Sequence, residues 1–167
     1  MNYSKALNEY IESAYMVAGH FGARYLESWH LLIAMSNHSY SVAGATLNDY
    51  PYEMDRLEEV ALELTETDYS QDETFTELPF SHRLQVLFDE AEYVASVVHA
   101  KVLGTEHVLY AILHDGNALA TRILERAGFS YEDKKDQVKI AALRRNLEER
   151  AGWTREDLKA LRQRHRT

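Results

Sequence analysis

Placing Tyr3 on Phe80 shifts the chain by 77 residues and lays it on itself. Ser4 then falls on Ser81, Leu7 on Leu84, Ala14 on Ala91, Val17 on Val94 and Ala18 on Ala95. The same register continues without a gap through Ala23 on Ala100, Leu26 on Leu103, His30 on His107, Leu32 on Leu109, Ala34 on Ala111, Ala43 on Ala120 and Leu47 on Leu124. Chance rarely sustains such a register, so the chain is a tandem duplication. Whatever one half folds into, the other folds into as well.

Each half reads as four helices. Leu7, Tyr10, Ile11, Ala14, Val17 and Ala18 recur at helical spacing, which predicts an amphipathic helix from Ser4, its cap, to His20, ended at Gly19 and Gly22. A short, nearly all-apolar helix starts at Ser28 and is expected to be buried. A third spans Val42 to Leu47, and a fourth runs from Tyr52 to Leu64 after the turn at Asn48-Asp49-Tyr50-Pro51. In the second half, Ser81 caps the first helix, Thr105 the second, Leu119 to Arg126 form the third up to Gly128, and Tyr131 to Leu143 form the fourth.

These readings divide the chain into residues 1–64 and 80–145 as repeats, residues 65–79 as a linker loop with five acids and no base, and residues 146–167 as a helical extension leading out of the domain, with Thr154 as a cap three residues before Asp157. The predicted fold is all-α, with two pseudo-symmetric four-helix repeats and that extension. Two prolines and seven glycines in 167 residues agree with it.

Charge narrows the partners. Residues 144–167 hold eight Lys/Arg against four Asp/Glu, a balance of +4, so the first 143 residues carry −13 of the net −9. An acidic body repels nucleic acid. The basic end mixes its acids among its bases, as a solvated helix does. No nucleic-acid partner is expected. No apolar run reaches the roughly 20 residues of a membrane span, and the first residues lack a signal-peptide pattern, so a cytoplasmic protein with no membrane partner is expected. With no cysteine, disulfides and thiol chemistry are excluded.

Chemistry of its own is not expected. His99, His107 and His114 lie eight and seven residues apart, where a helical zinc pair needs three or four. His107, which repeats His30, reads as a packed imidazole bonded to its neighbours, and no metal is assigned. No P-loop motif is present, and Ser4 and Ser81 sit where caps belong, without a His-Asp pair to activate them. The segment Val102 to Leu113, VLGTEHVLYAIL, is different. Glu106 and His107 occupy the first turn of a helix, where the positive dipole end and unpaired N–H groups favour anions. A carboxylate beside those amides suits a ligand carrying both signs of charge. The residues alone leave open whether such starts are caps or ligand pockets.

The duplicated unit with Gly104-Thr105-Glu106-His107-Val108-Leu109 resembles the Clp N-terminal repeat, and in detail the N domain of a ClpC-type unfoldase from a low-GC Gram-positive bacterium. The resemblance covers residues 1–145, and the residues beyond resemble the start of the linker to the first AAA+ module. It implies a binding domain that passes substrates and MecA-like adaptors to an ATPase ring for delivery to the ClpP peptidase. ClpP contact and ATP belong to the ATPase modules, so no cofactor is expected here. It also implies a phosphoarginine pocket in each repeat. There the motif glutamate takes the guanidinium, while the hydroxyl residue opening the repeat's first helix and the amides of the second take the phosphate. The second repeat supplies Ser81, Thr105, Glu106 and His107. The first supplies Ser4, Glu27, Ser28 and Trp29, with Trp29 in place of the motif glutamate and Glu27 in place of the motif glycine. An adaptor-only scaffold with vestigial pockets and a small metal-dependent hydrolase are the competing readings.

Overall fold

The computed structural model describes residues 1–49, 54–65, 77–115, 119–127 and 140–164. In chain order its helices are α1 (Lys5–His20), α2 (Ser28–Ser36), α3 (Val42–Asn48), α4 (Met54–Thr65), α5 (His82–Val97), α6 (Thr105–His114), α7 (Leu119–Ala127), α8 (Ile140–Ala151) and α9 (Arg155–Arg164). The all-α prediction holds among the described residues. None of these helices is long and apolar enough to cross a membrane.

The duplication is visible down to the caps. Ser4 and Ser81 have nearly the same extended backbone, φ −65° and −61°, and each hydroxyl accepts the N–H three residues on, from Leu7 and Leu84 at 3.1 Å. At the other end, Ala23 N–H reaches back to the Ala18 carbonyl at 3.0 Å, and Ala100 N–H to Ala95 at 2.8 Å, the long bond of a Schellman turn. Gly22 sits there at φ 62° and His99, its counterpart, at 61°. His99 thus serves a helix end in a left-handed conformation that costs a non-glycine residue about 1 kcal/mol or more.

Packing exchanges the halves. Within each repeat the first two helices pair, α1 with α2 and α5 with α6, but α3 packs on α8 and α4 on α7. Each repeat's third helix therefore rests on the other repeat's fourth. Leu32, Leu47, Leu57, Leu109, Leu124 and Leu147 are fully buried in one shared core. Two short backbone pairings tie the same exchange. Residues around Tyr3 run parallel to Leu103, with Ser4 N–H to Leu103 O and Leu103 N–H to Asn2 O both at 2.8 Å. Residues around Phe80 run parallel to Leu26, with Leu26 N–H to Pro79 O at 2.9 Å and Ser81 N–H to Leu26 O at 3.0 Å.

Several boundaries differ from the sequence reading. Tyr50 to Glu53, 66–76, 128–139 and 165–167 lie outside the described residues, and with them the start assigned at Tyr52, most of the acidic linker, Gly128 and the expected helix start at Tyr131. Thr65 belongs to α4, not to a loop. The described α8 begins at Ile140 and continues to Ala151, past the expected end at Leu143, because Leu147 and Glu148 are buried against the rest of the domain. Among the described residues the extension packs on the domain. Thr154 and Asp157 cap α9 reciprocally, with N–H to Oδ2 at 3.0 Å and N–H to Oγ1 at 3.1 Å, and α9 folds back on α5 with Leu161 buried. The Arg150 guanidinium grips both Asp49 oxygens, at 2.7 and 2.6 Å, joining α8 to the end of α3.

Tyr10 fixes the first repeat's third helix. Its buried hydroxyl donates to the His38 carbonyl at 2.8 Å and meets Ser41 Oγ at 2.6 Å, while Ser41 Oγ accepts the Gly44 N–H as cap of α3. A Cβ on Gly44 would fall on the His38 oxygen and the Tyr10 hydroxyl. Gly44→Ala is therefore expected to lower stability by about 1–3 kcal/mol, the usual cost of overpacking, read as a shift in the urea midpoint.

Candidate functional site

Two junctions of helix starts form the candidate site. The Ser4–Leu103 bond sets the N-terminus of α1 beside that of α6, and the Ser81–Leu26 bond sets the N-terminus of α5 beside that of α2. At each junction two positive dipole ends meet, which favours a negative group there. Each junction holds a glutamate, Glu106 in the first and Glu27 in the second.

This corrects the grouping by repeat. Ser81 does not share a pocket with Glu106. α5 has 16 residues and is about 24 Å long, and Arg83 at its start meets Asp115 at the end of α6 at 3.9 Å, so Ser81 and Thr105 lie at opposite ends of an antiparallel pair. Instead the Ser81 hydroxyl donates to Glu27 Oε2 at 3.0 Å, and the Ser4 cap neighbours the Thr105-Glu106-His107 turn. Every site residue named from the sequence lies at one of the two junctions, but each junction is built from both repeats.

The capping assignments also change. Gly104, not Thr105, is the N-cap of α6, and Glu27 is that of α2, which starts at Ser28 as expected. The reason is the repeated histidine. His107 Nδ1 accepts the Gly104 N–H at 2.8 Å, and His30 Nδ1 accepts the Glu27 N–H at 2.9 Å, so a side chain three residues into the helix reaches back to the cap. The Thr105 hydroxyl, released from capping, accepts the Ala43 N–H at 3.3 Å and links α6 to α3. Burial drives both imidazoles to the neutral form, His30 down to about 3 and His107 to about 4. The Glu106–His107 approach of 3.4 Å is consequently not an ion pair at neutral pH. Both histidines are packed and bonded to a neighbour, as the sequence suggested.

The carboxylate has moved between the repeats. The Glu106 side chain folds back over Gly104, where a Cβ would collide with its carboxylate. Glycine at the cap and glutamate two residues later are thus one steric choice. In the first repeat the glutamate is itself the cap, and the position two residues later is Trp29, whose indole is 8% exposed and packs edge-on against Phe21 at 4.7 Å. Trp29 is part of the core. The two carboxylates also differ in freedom. Glu27 is held by Ser81, whereas Glu106 is 21% exposed and burial pushes its carboxyl above the usual range, against the lowering from its own backbone N–H.

His107 carries the α6 junction outward. Its ring stacks on Trp153 at 6.2 Å and 9°, and Trp153, in the turn between α8 and α9, meets Tyr110 edge-on at 5.2 Å. A cavity of about 610 Å³ between α5 and α6 has Val86, Leu87, Val94, Tyr110 and Ala111 as its apolar wall and His82, Arg83, Glu90, His114 and Asp115 as its polar lining. The sequence reading did not identify it, because helical spacing marks the buried face of α5 and not the gap beside it. The half-exposed Val86, two residues after Leu84, is the signal that was available. Among the described residues no three His, Asp or Glu side chains are grouped to hold a metal.

The sequence model of the Clp repeat (R) N-terminal domain matches residues 2–127. The chain belongs to the Clp repeat N-terminal domain family. Solved Clp N-domains share its fold. The N-terminal domain of the caseinolytic protease-associated chaperone ClpD from Arabidopsis thaliana superposes with a TM-score of 0.68 at 17% identity, over 90% of this chain and 97% of that one. A ClpV N-domain in complex with a VipB peptide gives 0.61 at 17% identity, over 93% and 90%. A structure described as a preliminary investigation of a malarial protein secretion system gives 0.60 at 19% identity, over 89% and 97%. No curated protein matches the sequence.

The buried histidines of this Clp domain make its stability depend on pH with a definite sign. Unfolded histidine binds a proton below about pH 6.5, while the folded pKa values are about 4 and about 3, so between these limits the unfolded state holds more protons. Stability is fully present above pH 6.5 and falls as pH drops, each histidine contributing up to about 1.4 kcal/mol per pH unit. Glu106 and Glu148, both raised by burial, oppose this at the acid end. Urea melts between pH 7 and pH 4.5 are expected to lose midpoint steadily, and His107→Asn to flatten the loss.

Proposed function

We propose that the chain receives protein substrates and adaptors for a ClpC-type ATP-dependent unfoldase of a low-GC Gram-positive bacterium, and that it recognises phosphoarginine at the helix-start junctions. The observation that carries this is the α6 junction. A half-free carboxylate lies over the amides of one helix start, with a second helix start and its Ser4 cap alongside. The carboxylate suits the guanidinium, and the converging amides suit the phosphate. At the α2 junction Glu27 already accepts from Ser81, so a ligand there must displace an internal bond and binds more weakly. A MecA-like adaptor fits the acidic body, and a peptide-bound ClpV N-domain is consistent with partner docking on this fold.

Nuclear magnetic resonance titration with free phosphoarginine tests the reading. The amides of Thr105, Glu106 and His107 are expected to shift saturably, with arginine and inorganic phosphate each far weaker. Equal shifts with arginine alone would leave the phosphate without a role and favour an adaptor-only scaffold.

A further inference from the structure

Arg144 and Arg145 of α8 and Arg162 of α9 converge on one buried carboxylate. The Glu148 side chain is 11% exposed, and Arg162 reaches it loosely, Nη2 to Oε2 at 3.9 Å, unlike the tight double grip of Arg150 on Asp49. Arg144 donates from Nη1 to His114 Nδ1 at 3.3 Å, which leaves the rest of its fork unused by that bond. These four charged residues, with Tyr110 and His114, line a cavity of about 220 Å³ between α6, α8 and α9. Three guanidinium groups outnumber the carboxylates acting there, Glu148 in the lining and Glu149 beside it, in a chain whose net charge is −9. Like charges gathered beside one another repel. Burial pushes the Glu148 carboxyl up although all three arginines pull it down.

We propose that this cavity binds one phosphoryl group, held by Arg144, Arg145 and Arg162, with Glu148 orienting the Arg162 fork from the floor. Arginine forks match the oxygens of a tetrahedral oxyanion in pairs. The volume corresponds to roughly seven waters at about 30 Å³ each, room for a phosphoryl group and its first ester atoms but not for a nucleoside. The site is separate from the helix-start junctions and does not depend on their assignment. The phosphoryl group comes either from a free small anion or from a phosphorylated side chain of a partner protein.

Trp153 packs on Tyr110, which lines the cavity, but also on His107 of the α6 junction, so its fluorescence is read beside the amide shifts of Arg144, Arg145 and Arg162, which line the cavity and not that junction. The whole chain is titrated at constant ionic strength with inorganic phosphate, then with phosphoserine, then with a peptide carrying one phosphoserine. A saturable change is expected, at least tenfold weaker in Arg144→Gln and in Arg145→Gln, and within twofold of the parent in Arg155→Gln and Arg122→Gln. Arg145 is exposed, so its variant keeps the fold even if Arg144→Gln does not. Tighter binding of the phosphopeptide than of phosphate assigns a protein source, and equal binding a free anion. A linear response, the same response to chloride, variants that bind like the parent, or an oligonucleotide that binds without competition from phosphate would each overturn the site.

Discussion

A fragment ending at Thr65 is expected to stay unfolded under conditions where the whole chain is folded. A unit of about 60 residues is marginal by itself, burying only about 60% of the surface its unfolded chain exposes. This one is worse placed, because its apolar faces are finished by the other repeat. α4 packs on α7, α3 on α8 and α6, and α2 on α7. Removing the second half exposes Leu47, Leu57 and Leu32, each fully buried, at about 1.5–3 kcal/mol apiece. It also removes the Pro79–Leu26 and Ser81–Leu26 bonds and the Thr105 acceptor of Ala43 N–H. The summed loss, about 6–14 kcal/mol, is comparable to the 5–15 kcal/mol that holds an ordinary domain. Far-ultraviolet circular dichroism and dispersed amide spectra check it. A fragment 1–65 that melts cooperatively would show that the repeats are independent units.

The exchange explains what the sequence did and did not disclose. Helix existence followed from apolar spacing, and the Ser4, Ser81 and Thr154 caps from residue type, because these are local. The repeat register was legible because Leu26 and Leu103, or His30 and His107, do the same work in both halves. Which repeat completes which junction is a matter of topology, and the register is silent on it. Helix length carried a warning, since a 16-residue α5 puts about 24 Å between its two ends. Thr105 misled because a β-branched hydroxyl before an apolar run has the chemistry of a cap, while the actual bond to Gly104 comes from His107 inside the helix. Trp29 looked like an altered ligand contact because only its position was visible, and not Phe21 against it.

The second large effect concerns ligand binding. Glu106→Ala is expected to weaken phosphoarginine binding by one to two orders of magnitude, since a charge-assisted bond is worth about 1.5–3 kcal/mol and about 1.4 kcal/mol is tenfold. The fold should survive, because Glu106 sits on the helix start with its side chain partly in solvent and contributes no core surface. Gly104→Ala should act on the same site indirectly, by pushing the carboxylate off the cap. Mutations at the α2 junction, Glu27→Ala or Ser81→Ala, should change the dominant affinity by less than about threefold, because that junction is served by different helices.

The decisive measurement is calorimetry of phosphoarginine against four proteins: the parent, Glu106→Ala, Ser4→Ala and Ser81→Ala. Cross-repeat junctions predict that Ser4→Ala and Glu106→Ala both weaken the tight site while Ser81→Ala leaves it intact. Loss of the tight site in Ser81→Ala, with Ser4→Ala binding like the parent, would contradict the account.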